Sequence, residues 1–182
     1  MKKITLLLVL IASVKLSVAQ IFIAKTCEIS FFSASPLENI EAVNKACKPI
    51  INTATNDVQM KITITAFQFE KPLMQEHFNE NYMESDKFPD AIFRGKINET
   101  IDWSKDGEYK VTVTGKLKIH GVEKDRTIDG VVKIKGSEIT ITSKFNIHIA
   151  DHGIQVPSLY IQNIAEDVEV KLNAVLDPYK KN

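Results

Sequence analysis

A strict alternation of apolar and polar side chains limits what this chain can fold into more than any other feature of its sequence. The odd positions of one eleven-residue stretch are apolar and hold Tyr109, Val111, Val113, Leu117 and Ile119. The even positions from 110 to 118 hold only lysine or threonine. A period of two is typical of a β-strand with one buried and one exposed face. Gly115 interrupts the apolar face, which predicts a bend or bulge at that point.

The same alternation predicts strands through the rest of the chain. In the second half it recurs at Ile128, Val132 and Ile134, at Ile139, Ile141, Phe145, Ile147 and Ile149, and at Val168, Val170, Leu172 and Ala174. In the first half, strands are predicted around Cys27, Ile29 and Phe31, from about Glu38 to Cys47, from Met60 through Ile62 and Ile64 towards Phe67 and Phe69, and after Pro89 at Ile92, Phe93 and Ile97. About eight strands joined by short turns predict an all-β fold, an antiparallel lipocalin-like barrel, because closure removes exposed strand edges.

A different periodicity between Lys71 and Ser85 predicts a single α-helix inserted between two strands. Apolar residues recur there at every fourth position, at Met74, Phe78 and Tyr82. Such spacing places them on one face of a helix. Pro72 suits the first helical turn, and Phe88 ends the helical region because a residue before proline avoids helical backbone angles.

The first nineteen residues have the pattern of a signal peptide. Two lysines are followed by an apolar run from Ile4 to Val14 and by the small residues Ser17 and Ala19. We therefore predict cleavage after Ala19, one mature domain over residues 20–182, and a periplasmic or secreted location. The alternative is a retained anchor, but the run is shorter than the roughly 20 apolar residues that span a bilayer.

Two cysteines, Cys27 and Cys47, lie in the predicted mature domain. In an oxidising compartment two such residues usually form a disulfide. Two buried free thiols remain the alternative, because the sequence alone does not show the pairing. The two are not spaced as Cys-x-x-Cys, so the sequence gives no support to redox catalysis.

Charge and motifs argue against several classes of function. Lys and Arg total 23 and Asp and Glu also total 23, so no net field favours nucleic acid or an anionic membrane. The sequence contains none of the nucleophile, phosphate-loop or zinc motifs that mark common enzymes. The four histidines, His77, His120, His148 and His152, are best explained as solvated or hydrogen-bonded side chains. We therefore expect no catalytic residue, no metal, no cofactor and no stable membrane insertion.

Large apolar residues are concentrated around the predicted helix. They are Phe67, Phe69, Leu73, Met74, Phe78, Tyr82, Met83, Phe88 and Phe93. One interpretation is structural, because a helix must pack on the barrel. The other is functional, because an eight-stranded barrel is either filled by side chains or holds one small ligand. A helix rich in Met and Phe would suit an apolar guest.

Three stretches resemble the YceI-like family of exported lipocalin-like barrels, which are associated with polyisoprenoid and other long-chain lipids. They are Phe67–Phe93, the segment Gly115–Lys124 with sequence GKLKIHGVEK, and the segment Asp151–Pro157 with sequence DHGIQVP. The first strand, Thr26–Phe31, departs from the family's usual opening.

The resemblance implies that the barrel interior takes a lipid tail, such as that of an isoprenoid or a fatty-acid derivative. The residues expected to line it are Phe67, Phe69, Leu73, Met74, Phe78, Tyr82, Phe93, Leu117, Ile119, Phe145 and Ile147. Tyr82 and His120 are further expected to be able to bond a polar head. His120 falls on the polar face of its strand, however, so a role in the turn at Gly121 is favoured.

Two functions therefore stay in view. The first is a binding protein that carries or sequesters an amphiphilic lipid. The second is a non-catalytic envelope interaction or stress protein whose barrel is filled by side chains. The sequence leaves open the ligand's identity and head group, the pathway, and whether the chain forms a homodimer.

Overall fold

The computed structural model describes residues 20–34, 39–156 and 165–180. The predicted signal peptide, residues 1–19, lies outside the described residues. The strands of the described part are β1 (Ile21–Ser33), β2 (Ile40–Asn44), β3 (Lys48–Asn52), β4 (Asp57–Thr63), β5 (Gln68–Phe69), β6 (Asp90–Ile97), β7 (Gly107–Ile119), β8 (Val122–Lys135), β9 (Glu138–His148) and β10 (Asp167–Pro178). A helical segment starts as α1 (Pro72–His77) and continues as a π-turn (Phe78–Tyr82). Short 3₁₀ turns occupy Ile64–Ala66 and Ile149–His152.

The strands close into an eight-stranded antiparallel barrel, which confirms the predicted fold. β2 and β3 occupy one position in the barrel, because both pair with the same edge of β1. Ile29 lies opposite Asn44 in β2, and six residues further along each strand Ile23 lies opposite Ile50 in β3. β4 and β5 share the next position, pairing with β3 and β2 respectively. Each position then neighbours the next in sequence, and β10 pairs with β1 to close the ring.

A buried asparagine sits at the break between β2 and β3. Asn44 is 0% exposed. Its Nδ2 donates to the carbonyl of Thr63 at 2.9 Å, and its Oδ1 accepts from the amide of Ala46 at 2.8 Å. Because the side chain of Asn44 hydrogen-bonds these two backbone groups, the chain turns away from its ladder with β1 here. The Cys27–Cys47 disulfide links β1 to the chain at this break.

The break corrects the predicted second strand. A single strand was expected from about Glu38 to Cys47, and Glu38 lies outside the described residues. The strand instead stops at Asn44 and resumes from Lys48 to Asn52. The expected continuous run of the third strand to Phe69 was also wrong. A 3₁₀ turn at Ile64–Ala66 interrupts it, and β5 resumes for two residues.

A one-residue bulge changes the inward face of β1. The pairing with β10 shifts between Ala24 and Thr26, so Lys25 is the extra residue. Before the bulge Phe22 is buried, and after it Cys27 and the following odd-numbered positions turn inward. A bulge has this effect because side chains alternate between the two faces of a strand.

Gly115 marks a close approach of two strands, and the bulge considered from the sequence is not found there. β7 pairs through Gly115 with β6 and with β8 without a shift in register. A Cβ atom at this position would lie 2.2 Å from the carbonyl oxygen of Arg94 and 2.4 Å from the Cα of Gly95. The residue is therefore glycine because the backbone of β6 occupies the space of a side chain.

The helical segment is shorter than predicted and ends at Tyr82 rather than near Ser85. Its last turn widens, since the amide of Met83 donates to the carbonyl of Phe78 at 2.9 Å. The chain then reverses at Glu84, which has a φ of 42°. The segment lies at one end of the barrel, beside the β7–β8 turn and the β9–β10 connection. We call this end the helix end.

The β6–β7 loop packs at the opposite end. Ile101 in this loop is buried, and Trp103 packs against the core. The indole Nε1 of Trp103 donates to Oδ1 of Asn56 in the β3–β4 turn at 2.9 Å. The hydrogen bond ties two connections together across this end of the barrel.

Candidate functional site

The barrel encloses a cavity of about 500 Å³. Its wall is made by alternate, inward-facing residues of the strands, such as Ile29 and Phe31 in β1 and Met60 and Ile62 in β4. The helical segment covers it at the helix end. Most lining side chains are aliphatic or aromatic. The volume falls within the range of about 300–1,000 Å³ that is typical of small-molecule sites.

All eleven residues expected to line the interior lie in the wall of this one cavity. They are Phe67, Phe69, Leu73, Met74, Phe78, Tyr82, Phe93, Leu117, Ile119, Phe145 and Ile147. Their placement follows from alternation in the strands and from the four-residue spacing in the helical segment. Their contact with a lipid stays a prediction.

Four phenylalanine rings hold the helical segment against the barrel. Phe78 lies between Phe31, Phe67 and Phe69, with centroid distances of 5.4, 5.7 and 5.0 Å. Such spacings are those of directly packed aromatic pairs. Sequence reasoning placed three of these rings at the site and missed Phe31, whose inward face was recognised but whose neighbours were not.

The rim of the cavity reaches solvent beside α1. Leu73 lines the cavity yet is 61% exposed. Lys71 and His77 also contribute to the lining here. A large apolar side chain gains stability from burial, so the exposure of Leu73 is unusual. It shows that the wall of the cavity is thin at this point.

His120 lies outside this cavity wall, where it links three connections at the helix end. Its Nε2 contacts Oε2 of Glu84 at 3.0 Å, and its Nδ1 contacts the carbonyl of His152 at 3.3 Å. Both partners are hydrogen-bond acceptors, a carboxylate and a backbone carbonyl. Hydrogen bonds from Lys87 and then His120 lower the pKa of Glu84. These contacts fix the helical segment to the β7–β8 turn.

His152 is the most buried histidine of the described chain, at 1% exposure. Its Nδ1 donates to the carbonyl of Val122 at 3.1 Å. Burial lowers the pKa of His152 from its ordinary 6.5, opposed by this hydrogen bond and by the charge of Asp151, and reinforced by the charges of Arg126 and Lys124. The side chain therefore holds the β9–β10 connection to the start of β8.

The other polar groups of the site are mostly engaged with the protein. Ser33 Oγ, in the cavity wall, accepts a hydrogen bond from the amide of Ala165 at 2.9 Å. The Nδ1 of His148 contacts Oδ1 of Asp167 at 3.2 Å. Within residues 20–34, 39–156 and 165–180, no three His, Cys, Asp or Glu side chains are grouped so as to hold a metal ion.

The described helices include none that is both long and apolar enough to cross a bilayer. The Cys27–Cys47 pairing predicted as one of two alternatives is a disulfide in the structure, and no free cysteine remains among the described residues.

Comparison with known proteins places these features in a family. The pattern of the YceI-like domain matches residues 23–176. No curated protein matches the chain. Among solved structures, the chain is similar to a polyisoprenoid binding domain from Saccharophagus degradans implicated in plant cell wall breakdown, with a TM-score of 0.73 and 13% identity over 88% of this chain and 99% of that one.

Two further solved structures share the fold. Burkholderia cenocepacia BcnA has a TM-score of 0.68 and 20% identity, over 82% of this chain and 95% of that one. A Campylobacter jejuni YceI protein has a TM-score of 0.60 and 20% identity, over 81% and 90%. The domain match covers most of the chain, and the barrel agrees with it. The chain therefore belongs to the YceI-like family.

Proposed function

We propose that this protein is an exported, non-catalytic binding protein that holds an isoprenoid or another long-chain amphiphilic lipid in its barrel, for carriage or sequestration. The observation that carries the proposal is the cavity of about 500 Å³ with its almost wholly apolar wall. The related domain from Saccharophagus degradans, described as polyisoprenoid binding, supports the same ligand class.

The physical basis of binding is the transfer of a hydrocarbon chain out of water. Each buried methylene contributes roughly 0.8 kcal/mol, so six would contribute about 5 kcal/mol before the entropic cost of association. A chain of isoprene or methylene units needs no polar partner along its length, and the cavity wall offers few. The site is therefore matched to a tail rather than to a polar metabolite.

The proposed compartment is supported by the Cys27–Cys47 disulfide, because disulfides persist in oxidising compartments. Outside the cytosol, an apolar lipid crosses an aqueous space only when its tail is shielded. A closed barrel with an apolar interior supplies that shielding. We therefore propose that the mature domain works in the periplasm or outside the cell.

The alternative function required a barrel filled by side chains. The barrel of this protein instead contains a cavity of about 500 Å³. No structural observation therefore favours an interaction protein over a binding protein.

Native mass spectrometry of the protein purified from its own host tests the proposal. We expect a stoichiometric lipid on the wild type. Ala91→Phe should remove it, because Ala91 is buried and lines the cavity, and a phenyl ring there takes up the space of the tail. Ala54→Phe is the matched control, since Ala54 lies exposed in the β3–β4 turn.

The two variants make the result specific. Lipid retained on Ala54→Phe and lost from Ala91→Phe, with both variants folded by circular dichroism, supports binding in the cavity. Repeated wild-type preparations without lipid, or equal retention by both variants, would contradict it.

A further inference from the structure

The ring of strands is closed, but the ladder between two of its strands is incomplete. β8 and β9 are hydrogen-bonded from Lys135 and Glu138 only as far as Gly130 and Ser143. Both strands continue beyond this pair, β8 back to Val122 and β9 on to His148. In the described chain these continuations pair only with their outer neighbours, β7 and β10. We call the space between them the β8–β9 gap.

The cavity extends to this gap. Inward-facing residues on both sides of the gap line it, Ile128 in β8 and Phe145 and Ile147 in β9. Between these residues the described chain has no main-chain ladder, because the pairing of β8 with β9 ends at Gly130 and Ser143. The β8–β9 gap is therefore a lateral opening of the lipid site.

Cationic side chains border the opening. Arg126 lies on the same face of β8 as the buried Ile128, and it reaches across the gap, where Nη2 donates to the carbonyl of Asn146 at 2.5 Å. Lys124 lies on that same face, one step nearer the helix end, and is exposed. The charges of both residues act on His152, which packs at the start of β8. Lys124 and Arg126 therefore place positive charge on β8 beside the gap.

The acidic residues nearby differ in position. Glu123 and Asp125 lie on the opposite face of β8 and both bind Lys116, at 3.3 and 3.4 Å. Asp129 lies at the closed end of the gap, beside Gly130. Asp151, whose charge also acts on His152, lies in the β9–β10 connection rather than on β8. On the face of β8 that contains Ile128, the charged side chains are Lys124 and Arg126.

We propose that the polar end of a bound amphiphile leaves the barrel through the β8–β9 gap, and that Lys124 and Arg126 select an anionic head, a carboxylate or a phosphate. The inference rests on the proposed lipid-binding function and adds to it the class of head group. The competing exit is the rim beside α1, where Lys71 and His77 line the cavity. That exit lies next to the four packed phenylalanine rings.

Displacement of the neutral fluorescent probe N-phenyl-1-naphthylamine by dodecanoate and by dodecanol tests the head group. Lys124→Gln and Arg126→Gln should each weaken dodecanoate binding by about threefold to tenfold, the effect of one partly exposed charge, and leave dodecanol unchanged. Lys133→Gln is the control, because Lys133 is an exposed lysine of the same strand beyond the gap and should change neither.

The outcomes separate the two proposals. Wild-type protein that binds neither ligand contradicts the lipid-binding function itself. If the wild type binds both ligands and neither variant weakens dodecanoate binding, only the role of Lys124 and Arg126 is overturned. The same conclusion follows if a variant weakens dodecanoate and dodecanol binding equally. Lys124→Gln keeps the test decisive if Arg126→Gln does not fold, because Lys124 is exposed.

The position of the head is tested separately with a fatty acid that carries a diazirine next to its carboxylate. Cross-links to residues 122–130 or 143–149 are expected after illumination. Cross-links confined to residues 71–78 would place the head at the rim beside α1 and refute an exit through the gap.

Discussion

Replacement of Gly115 by alanine should destabilise the barrel through the backbone of a neighbouring strand. The new Cβ would lie 2.2 Å from the carbonyl oxygen of Arg94 and 2.4 Å from the Cα of Gly95. Ordinary contact requires about 3.4 Å, so β6 and β7 must separate locally by about 1 Å, roughly a fifth of the usual strand spacing of about 4.8 Å. Such a shift weakens about two ladder hydrogen bonds of about 1 kcal/mol each and adds overpacking strain of about 1–3 kcal/mol.

One effect opposes this cost. Gly115 does not have a positive φ, so alanine fits its backbone conformation and gains about 0.4–1 kcal/mol from a more restricted unfolded chain. The net loss is therefore about 2–4 kcal/mol in the free energy of unfolding. For a chain of this size it corresponds to a fall in Tm of about 4–16 °C.

Urea denaturation followed by circular dichroism measures the effect, with Gly130→Ala as the control. A Cβ at Gly130 would lie 3.1 Å from the carbonyl oxygen of Thr142 and would need a shift of only a few tenths of an ångström. We expect Gly130→Ala to cost less than about 1 kcal/mol. If Gly115→Ala proves as stable as Gly130→Ala, the close approach of β6 and β7 is not the reason for glycine at this position.

Two further predictions concern the disulfide and a buried histidine. Replacement of both Cys27 and Cys47, which are 20 residues apart, by serine should lower the free energy of unfolding by about 3 kcal/mol, because the unfolded chain gains conformational entropy when the cross-link is absent. Urea denaturation curves with equal midpoints for the two proteins would contradict this prediction. Free thiols in non-reducing peptide maps of the wild type would contradict it as well. The lowered pKa of His152 means that the unfolded state binds more protons below the ordinary value of 6.5, so stability should be complete above pH 6.5 and decrease as the pH falls towards the lower folded-state pKa. His152→Asn, whose amide can still donate to the carbonyl of Val122, should show a smaller decrease between pH 7.5 and 5, and equal slopes for the two proteins would refute the assignment.

The regular strands were predictable because apolar and polar side chains alternate along most of their length. β7 and β9 have inward faces that are apolar at nearly every second residue, and the structure places them within a residue or two of the predicted bounds. The lining of the cavity was predictable for the same reason. Phe145 and Ile147 needed only their position in an alternating strand to be placed inside the barrel.

The irregular first half was not predictable from periodicity, since each deviation depends on a long-range contact. The bulge at Lys25 reverses the inward face of β1 and conceals Phe22 from a period-two pattern. The break after Asn44 depends on the carbonyl of Thr63, which is nineteen positions away. Gly115 was recognised as exceptional, but the strand that requires it, β6, could not be identified from β7 alone.

The β8–β9 gap could likewise not be predicted from the sequence. Residues 123–127 are all polar or charged, which interrupts the alternation, but this pattern does not show that the ladder between β8 and β9 ends here. Arg126 would be assigned to a solvated position in any barrel strand. Only its contact with Asn146 shows that it spans an opening.

The ring closure of β1 onto β10 has a kinetic consequence. The other pairings span at most about 40 residues of chain, such as that of β4 with β6, whereas Phe22 pairs with Pro178 at the far end of the domain. Distant pairings are slow to form, since their loop-closure entropy is lost before they stabilise the chain. Until this seam forms, β1 and β10 each present an unpaired edge to other copies. The same step creates the enclosed interior. We therefore expect the chain to become able to bind a ligand only at the last step of folding.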